Sequence, residues 1–177
     1  FLLMKINYKE KFKEIDTFIF DVDGVLTNGG LYIFPDGKFV RKMNAKDGFA
    51  LKLALQMKYN IAIITGGREN NIKERLNKLG IKHVYLNAHD KLPIMNKYIS
   101  DNKLNKSTCL YMGDDIPDLK PMQNVGLACC PSNAVNEIKK ASDYISNFKG
   151  GDGCVRDVIE QVLKANDKWN YNDGMQY

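Results

Sequence analysis

Short apolar runs alternate with amphipathic segments along most of the chain. Runs of about four apolar residues predict strands, and apolar residues spaced three or four positions apart predict helices. The predicted strands are 15–20, 61–64, 83–86, 109–112, 125–128 and a short one at 143–146. The predicted helices are 47–58, 69–80, 90–101, 115–123, 133–141 and 154–166. The polar stretch 5–13 is interpreted as a lead-in before the first strand.

This order of strands and helices predicts an α/β fold. Strands that alternate with helices become parallel neighbours through right-handed crossovers. The near-continuous apolar runs fit strands that are buried on both faces. We therefore expect a Rossmann-like three-layer sandwich with a central parallel sheet and helices on both faces. A β-hairpin at about 30–43, around Asp36-Gly37, is inserted after the first strand, and nothing in the sequence marks a second domain within 1–177.

Composition narrows the class of protein. The chain has 177 residues, 44% of them hydrophobic, which is typical of a globular domain rather than a disordered one. Its net charge of +5 is spread along the sequence, so we expect no nucleic-acid partner. No apolar run reaches the ~18 residues of a membrane span, and the initial FLLM is too short for a leader core. We therefore expect a cytoplasmic protein.

The four cysteines show no CxxC spacing, and two of them are adjacent. That arrangement does not favour a metal site or a disulfide framework. We expect reduced thiols that fill apolar space. The polar tail at about 167–177 is predicted to be flexible unless a partner orders it, with Trp169 as a packing or subunit contact.

Polar residues with catalytic potential follow four of the predicted strands. The carboxyl ends of parallel strands meet at one edge of a sheet, and ligands bind there. The sequence therefore predicts that these residues share one site. They are Asp21 and Asp23, then Thr65 with Gly66 and Gly67, then Lys91, and finally Asp114 with Asp115.

The acidic members predict a cation. Asp21 and Asp23 lie two residues apart and point to the same side if the strand continues, so their charges repel unless a cation lies nearby. Magnesium takes one or two carboxylates together with water and phosphate oxygens, which makes Asp21 and Asp114 natural ligands. Taken singly, each acidic pair is equally explained by a turn or a helix cap.

The remaining members predict phosphate binding. The Thr65 hydroxyl and the backbone N–H groups of Gly66 and Gly67 would form an anion nest at a helix start. Lys91 would neutralise the remaining negative charge. His89 is a further candidate for contact with the substrate. A plain strand-to-helix turn and a solvated lysine explain these residues one at a time, but their joint position favours a catalytic site.

The same residues resemble the four ordered motifs of the haloacid dehalogenase-like phosphatases. The matching segments are DVDGVLT at 21–27, IITGG at 63–67, Lys91, and GDDIPD at 113–118. The resemblance implies that Asp21 attacks phosphorus and forms an aspartyl-phosphate. It also implies that Asp23 protonates the leaving alcohol and later deprotonates the attacking water.

The resemblance also implies a ligand set for Mg²⁺. Asp21, Asp114 and the backbone carbonyl of Asp23 would hold the ion. Asp118 would either hold water on the metal or orient the motif lysine, and Asp115 would take a direct or a water-mediated place near the metal.

Neither gap between motifs is long enough for a cap domain. Within the family, this architecture resembles the 3-deoxy-D-manno-octulosonate 8-phosphate (KDO 8-phosphate) phosphatases. The segments GVLTNGGLYI, KMNAKDGFALKLA, ITGGRE, YMGDDIPDL and KGGDGCVRDVIEQVL carry that resemblance. It implies hydrolysis of KDO 8-phosphate in lipopolysaccharide precursor synthesis, and a homotetramer whose hairpins assemble it and whose adjacent subunits complete each site. A phosphatase for a nine-carbon, sialic-acid-like 9-phosphate is the alternative.

Such a substrate carries a carboxylate far from its phosphate. Arg68, Lys46 and Arg41 are candidates to bind that end, although Arg41 and Lys46 are equally explained as surface charges. Many relatives have Thr-Gly-Arg, whereas Arg68 lies one residue later here. Asn44 would bind sugar hydroxyls or cap a helix, and Asp47 is expected to cap the helix that begins beside it.

Overall fold

The structure is a computed structural model, and it describes residues 7–170. Within that range, six strands form a parallel sheet and two form a separate antiparallel hairpin. In chain order they are β1 (Thr17–Phe20), β2 (Tyr32–Ile33), β3 (Phe39–Val40), β4 (Asn60–Ile64), β5 (His83–Tyr85), β6 (Cys109–Met112), β7 (Leu127–Cys130) and β8 (Tyr144–Ile145). The order across the sheet is β5-β4-β1-β6-β7-β8.

Seven α-helices connect or flank these strands within residues 7–170. They are α1 (Tyr8–Glu14), α2 (Ala45–Gln56), α3 (Asn70–Lys78), α4 (Lys91–Asp101), α5 (Leu119–Met122), α6 (Asn136–Ala141) and α7 (Cys154–Ala165). The alternation of strands and helices confirms the predicted α/β class and the inserted hairpin.

Strand β1 lies in the middle of the sheet, and this position defines the site. Phe20 at its end is paired with Ile63 of β4 on one side and with Met112 of β6 on the other. The three strands therefore end at nearly the same level. The connection after β1 leads to β4 on one side, and the connection after β6 leads to β7 on the other, which creates a crevice between β1 and β6 where α/β proteins bind ligands.

Side chains alternate between the two faces of the sheet and form two buried clusters. Phe18 and Phe20 pack on the face covered by α1, α2, α3 and α7. Ile19 and Tyr111 pack on the face covered by α4, α5 and α6. All four strands nearest the centre are buried on both faces, apart from the first residue of β4, which explains why their sequences are almost uniformly apolar.

Several predicted elements differ from the structure. The strand predicted at 125–128 is Leu127–Cys130, and the helix predicted at 133–141 begins at Asn136. The lead-in contains helix α1, which is capped by Asn7 and buries Phe12, because one apolar face is enough to dock a short helix on the core. The predicted helix at 115–123 is a 3₁₀ turn, Ile116–Asp118, followed by the single turn of α5. The predicted helix at 47–58 begins two residues earlier, at Ala45.

The hairpin differs from the rest of the fold in its exposure. Its two strands have two residues each, and its turn includes Gly37 at φ +79°. Five large apolar side chains of the hairpin are exposed to solvent: Leu31, Tyr32, Ile33, Phe34 and Val40. We call these five residues the hairpin face.

The predicted thiols are confirmed, because all four cysteines are free and buried. Trp169 contacts Phe49 and Arg156, so it makes a packing contact as predicted. None of the helices in the described part of the chain is both long and apolar enough to cross a bilayer. The initial FLLM and the tail beyond residue 170 lie outside the described residues, and the single-domain organisation stays a prediction.

Candidate active site

The end of β1 delivers the first acidic residue into the crevice. Asp21 follows Phe20 directly, its backbone N–H donates to the Met112 carbonyl, and its Oδ1 accepts from Val22 N at 2.6 Å. The chain then turns tightly through Gly24, whose φ is +87°. A Cβ at Gly24 would lie 1.9 Å from Asp114 Oδ2, so only glycine lets these two motif loops approach.

A buried lysine links the nucleophile candidate to a second carboxylate. Lys91, the first residue of α4, places Nζ 2.7 Å from Asp21 Oδ2 and 2.7 Å from Asp118 Oδ1. Its side chain is only 4% exposed, so this is an ion pair in a low-dielectric setting rather than a solvated surface charge. The interpretation of Lys91 as a surface lysine is therefore wrong.

Asp118 is the centre of this network. Besides Lys91, it accepts from the Tyr111 hydroxyl at 2.7 Å and from the Asp114 backbone N–H at 3.2 Å. Of the two roles expected for Asp118, the one that orients the lysine is thus directly visible. Tyr111 was missed at the sequence level, because a tyrosine inside an apolar strand gives no sign that its hydroxyl reaches the strand end.

Three carboxylates form an acidic cluster around Lys91, so their negative charge exceeds the positive charge of that lysine. Carboxylate oxygens of Asp21, Asp114 and Asp118 all lie within 4.8 Å of one another. Burial and the Asp118 charge raise the pKa of Asp21 to about 8, against the opposing effect of Lys91. Burial, Asp118 and Asp115 raise the pKa of Asp114 to about 7. Burial lowers the pKa of Lys91, but Asp21 and Asp118 outweigh it, so the net shift is upward.

These residues fit a divalent cation. Asp114 Oδ1 is buried and has no hydrogen-bond partner within residues 7–170. An unpaired buried carboxylate oxygen is costly, and a hard cation satisfies it while lowering the pKa values of the neighbouring acids. Oxygen-only donors favour Mg²⁺ over softer metals.

A cavity of about 370 Å³ opens above the cluster. Asp23, Gly66, Gly67 and His89 line it together with the buried Thr65. The predicted nest is altered, because Gly67 N donates to Thr65 Oγ1 at 3.1 Å and α3 begins only at Asn70. The Thr65 hydroxyl therefore keeps its own proton to donate to a ligand.

Asp115 also lines the cavity, but its side chain makes hydrogen bonds to residues next to it in the chain. Its side chain accepts from Ile116 N at 2.8 Å and forms a reciprocal capping box with Asp118. That bond occupies Asp115 Oδ1, and the side chain is exposed, so the interpretation as a helix cap is the one that the structure bears out for this residue.

Three of the residues proposed to bind the sugar acid, Asn44, Arg68 and Lys46, do not line this cavity. Asn44 caps α2, accepting from Lys46 N at 2.9 Å, and donates to the Gly151 carbonyl. Arg68 and Lys46 are exposed on the surface outside it. Of the two roles expected for Asn44, capping the helix is the one that the structure shows, and contact of Arg68 and Lys46 with the substrate stays a prediction.

Two other charged residues near the hairpin have unexpected partners. Arg41, predicted as a substrate contact or a surface charge, is buried between the carboxylates of Asp23 and Glu69. Asp47 does not cap its own helix; its Oδ1 accepts from Arg156 N at 2.8 Å and so caps the distant helix α7. Neither partner is recognisable from the sequence, because both lie far away along the chain.

The glycine-rich segment before α7 supports the loop that carries the acids. Gly151 N donates to the Val25 carbonyl at 2.9 Å. A Cβ at Gly150 would lie 1.8 Å from the Gly24 carbonyl oxygen. Backbone therefore packs directly on backbone here, which explains a Gly-Gly pair that the catalytic motifs leave unassigned.

Comparison with known proteins places this geometry in a family. Residues 84–158 match the sequence profile of a haloacid dehalogenase-like hydrolase family. The chain is 33% identical over 150 residues to the KDO 8-phosphate phosphatase of Yersinia pestis, covering 85% of this chain and 80% of that protein. The chain belongs to the haloacid dehalogenase-like hydrolases.

Within this family the chain groups with the KDO 8-phosphate phosphatases. The enzyme of that name from Escherichia coli K12 is 32% identical over 158 residues, which cover 89% of this chain and 84% of that protein. A crystal structure of the Moraxella catarrhalis enzyme, in complex with magnesium, phosphate and KDO, superimposes with a TM-score of 0.87. It is 34% identical and covers 90% of this chain and 92% of that one.

Proposed function

We propose that the protein is a Mg²⁺-dependent phosphatase that hydrolyses KDO 8-phosphate to KDO and inorganic phosphate. The observation that carries the proposal is the buried Asp21–Lys91–Asp118 chain beside the unpartnered oxygen of Asp114. Similarity to enzymes of that name over most of their length supports the choice of substrate.

The first step would form a covalent intermediate on Asp21. One of its carboxylate oxygens attacks phosphorus, and the bond between phosphorus and the sugar oxygen breaks. Val22 N and Lys91 hold the Asp21 carboxylate in a fixed orientation, which removes rotational freedom before the attack. Lys91 stays protonated because two carboxylates face it, and its charge offsets that of the incoming phosphate.

Asp23 would handle the protons of both steps. It lies two residues after the nucleophile, lines the cavity and is one-third exposed, so it reaches both the sugar and the solvent. It gives a proton to the leaving sugar oxygen. It then takes a proton from the water that attacks phosphorus, which releases inorganic phosphate and regenerates the Asp21 carboxylate.

Two further groups complete the site. Thr65, with Gly66 beside it, would donate to phosphate oxygens. Asp21, Asp114 and the backbone carbonyl of Asp23 would hold Mg²⁺. When bound, that ion supplies positive charge that stabilises the carboxylates and the phosphate oxygens together.

The substrate is tested by steady-state kinetics. We expect kcat/KM for KDO 8-phosphate to exceed that for a nine-carbon 2-keto-3-deoxy sugar acid 9-phosphate, and activity to be lost in EDTA and restored by Mg²⁺. A preference for the nine-carbon compound would reverse the choice of substrate while leaving the phosphatase chemistry intact.

We also propose that the protein forms a homotetramer through the hairpin face. Ile33 and Tyr32 are 73% and 63% exposed, and a pair of two-residue strands is not stable alone in water. Ile33→Asp should shift the mass measured by light scattering toward the monomer, whereas Lys38→Asp at the hairpin turn should not. A wild type that is monomeric at micromolar concentration would contradict this.

We also propose a cellular compartment for the protein. We place the reaction in the cytoplasm, where four free thiols remain reduced and sugar phosphates are available. Cell fractionation with an antibody against the protein checks this.

A further inference from the structure

Arg41 is a charged residue beside the cavity that has no task in the mechanism above. Its side chain is only 7% exposed, although it belongs to the segment that leaves the exposed hairpin. Arg41 Nε lies 2.6 Å from Asp23 Oδ1, and Nη2 lies 3.1 Å from Asp23 Oδ2. This two-point contact fixes the plane and the direction of the carboxylate, which a lysine cannot do.

The third nitrogen of the guanidinium is also bound. Arg41 Nη1 donates to Glu69 Oε2 at 2.8 Å, and the same oxygen accepts from Arg68 N at 3.1 Å. Glu69 directly precedes α3, so it ties Arg41 to the loop that carries Thr65.

We propose that Arg41, anchored by Glu69, is a positioning residue that holds the Asp23 carboxyl group toward the leaving oxygen of the substrate. The proposal rests on the proposed function of Asp23 in proton transfer. Besides Arg41, the side chain seen to hydrogen-bond to the Asp23 carboxylate among residues 7–170 is Thr27, whose hydroxyl donates at 3.5 Å. That single long contact does not define a direction for the carboxyl group.

The geometry argues against direct recognition of the substrate by Arg41. All three guanidinium nitrogens already face two carboxylates, so a substrate carboxylate would have to displace one of them. A residue that binds substrate alters KM when it is removed, whereas one that orients Asp23 alters the rate of proton transfer.

The experiment compares two leaving groups in a single turnover with enzyme in excess. A sugar alkoxide needs a proton as it leaves, whereas p-nitrophenolate does not, so only the sugar phosphate depends on a well-placed Asp23. Arg41→Met should slow alcohol release from KDO 8-phosphate by about 10- to 100-fold. The same variant should slow p-nitrophenol release by less than about threefold.

Four further variants sharpen the result. Arg41→Lys should fall between wild type and Arg41→Met, and Glu69→Gln should show the same selectivity with a smaller loss. Lys42→Met removes an exposed charge next to Arg41 and should behave as wild type. In an Asp23→Asn background, Arg41→Met should cause no further selective loss, because the group that it orients is gone.

Three results would overturn the proposal: equal losses on both substrates, a raised KM with unchanged kcat, or an effect that persists in Asp23→Asn. Arg41→Lys keeps the charge, so the leaving-group comparison can still be made if Arg41→Met does not fold. A wild type that hydrolyses p-nitrophenyl phosphate but not KDO 8-phosphate would refute only the proposed substrate. The comparison is then made with the sugar phosphate that the wild type does hydrolyse.

Discussion

The two sides of the cleft are held in place by different parts of the molecule. On the core side, Asp21, Lys91 and Asp118 are all at least nine-tenths buried and follow or contact central strands. On the hairpin side, Asp23 and Glu69 are 35% and 25% exposed and are joined through Arg41. The Asp21 carboxylate and its ion pairs thus depend on the sheet, whereas the Asp23 carboxylate is bound by an arginine of the inserted hairpin segment.

This difference has a physical cause. Strand β1 is hydrogen-bonded along both edges and packed on both faces, so the residue after it has little freedom to move. The hairpin has two short strands and the exposed hairpin face, so it gains little from its own packing. Core-side changes that leave a buried charge without a partner should therefore affect chemistry and stability together, and changes on the hairpin side mainly chemistry.

The largest effect should come from removing the nucleophile. Asp21→Asn keeps the size of the side chain but removes the attacking charge, so phosphate release should fall by about 10⁴-fold or more. The unfolding free energy should change by less than about 1 kcal/mol, because Lys91 keeps Asp118 as a partner. Phosphate release and thermal unfolding measure the two effects. Asp36→Asn, at the exposed hairpin turn, is the control, and appreciable turnover by Asp21→Asn would contradict the assignment.

Removing the buried lysine should lower both the activity and the stability of the protein. Lys91→Met leaves Asp21 and Asp118 facing one another without a cation, which should cost about 3 kcal/mol of unfolding free energy in metal-free buffer. Added Mg²⁺ should recover part of that loss, as measured by thermal unfolding with and without the metal. Lys97→Met, on the exposed face of the same helix, should show neither effect. A metal-free Lys91→Met protein as stable as wild type would mean that the ion pair contributes nothing.

A substitution in the glycine-rich segment before α7 should have an intermediate effect on stability and on kcat. Gly150→Ala forces a Cβ against the Gly24 carbonyl oxygen, so the acid-bearing loop must shift at a cost of about 1–3 kcal/mol. Because this loop carries Asp23, kcat should fall by about tenfold. Gly48→Ala, inside α2, meets only flexible side-chain atoms and serves as the control for urea unfolding and kinetics. Unchanged stability and kcat in Gly150→Ala would show that the loop does not need this support.

The smallest expected effect is a pH-dependent change in the unfolding free energy that arises from Asp47, which lies away from the catalytic groups. Burial raises its pKa to about 6, and its Oδ2 has no partner within residues 7–170. The native state therefore holds this proton more tightly than the unfolded chain, and the resulting stability is lost as pH rises from about 4 through 6. Relative to wild type, Asp47→Asn should gain about 2 kcal/mol between pH 4 and pH 7. A pH series of urea unfolding curves measures this difference, and a constant difference would contradict the shift.

The core side was largely predictable from the sequence, and the hairpin side was not. Asp21, Thr65, Lys91 and Asp114 follow apolar runs, and the convergence of parallel strand ends brings them together without any detail of packing. The Arg41–Asp23–Glu69 contact joins three loops, whose directions no periodicity encodes. The same holds for Asp47, whose capping role was misassigned because the number of residues between a loop and a helix does not show which oxygen reaches which N–H.

The most direct measurement is a calorimetric titration of Mg²⁺ into metal-free wild-type protein and into Asp114→Asn. Asp114 contributes an oxygen of the acidic cluster that has no hydrogen-bond partner within residues 7–170, so its neutralisation should weaken binding more than any change on the hairpin side. We expect one ion per chain for the wild type and an affinity at least about 100-fold lower for the variant. Absence of binding to the wild type, or equal affinities, would contradict a magnesium site at this edge of the sheet.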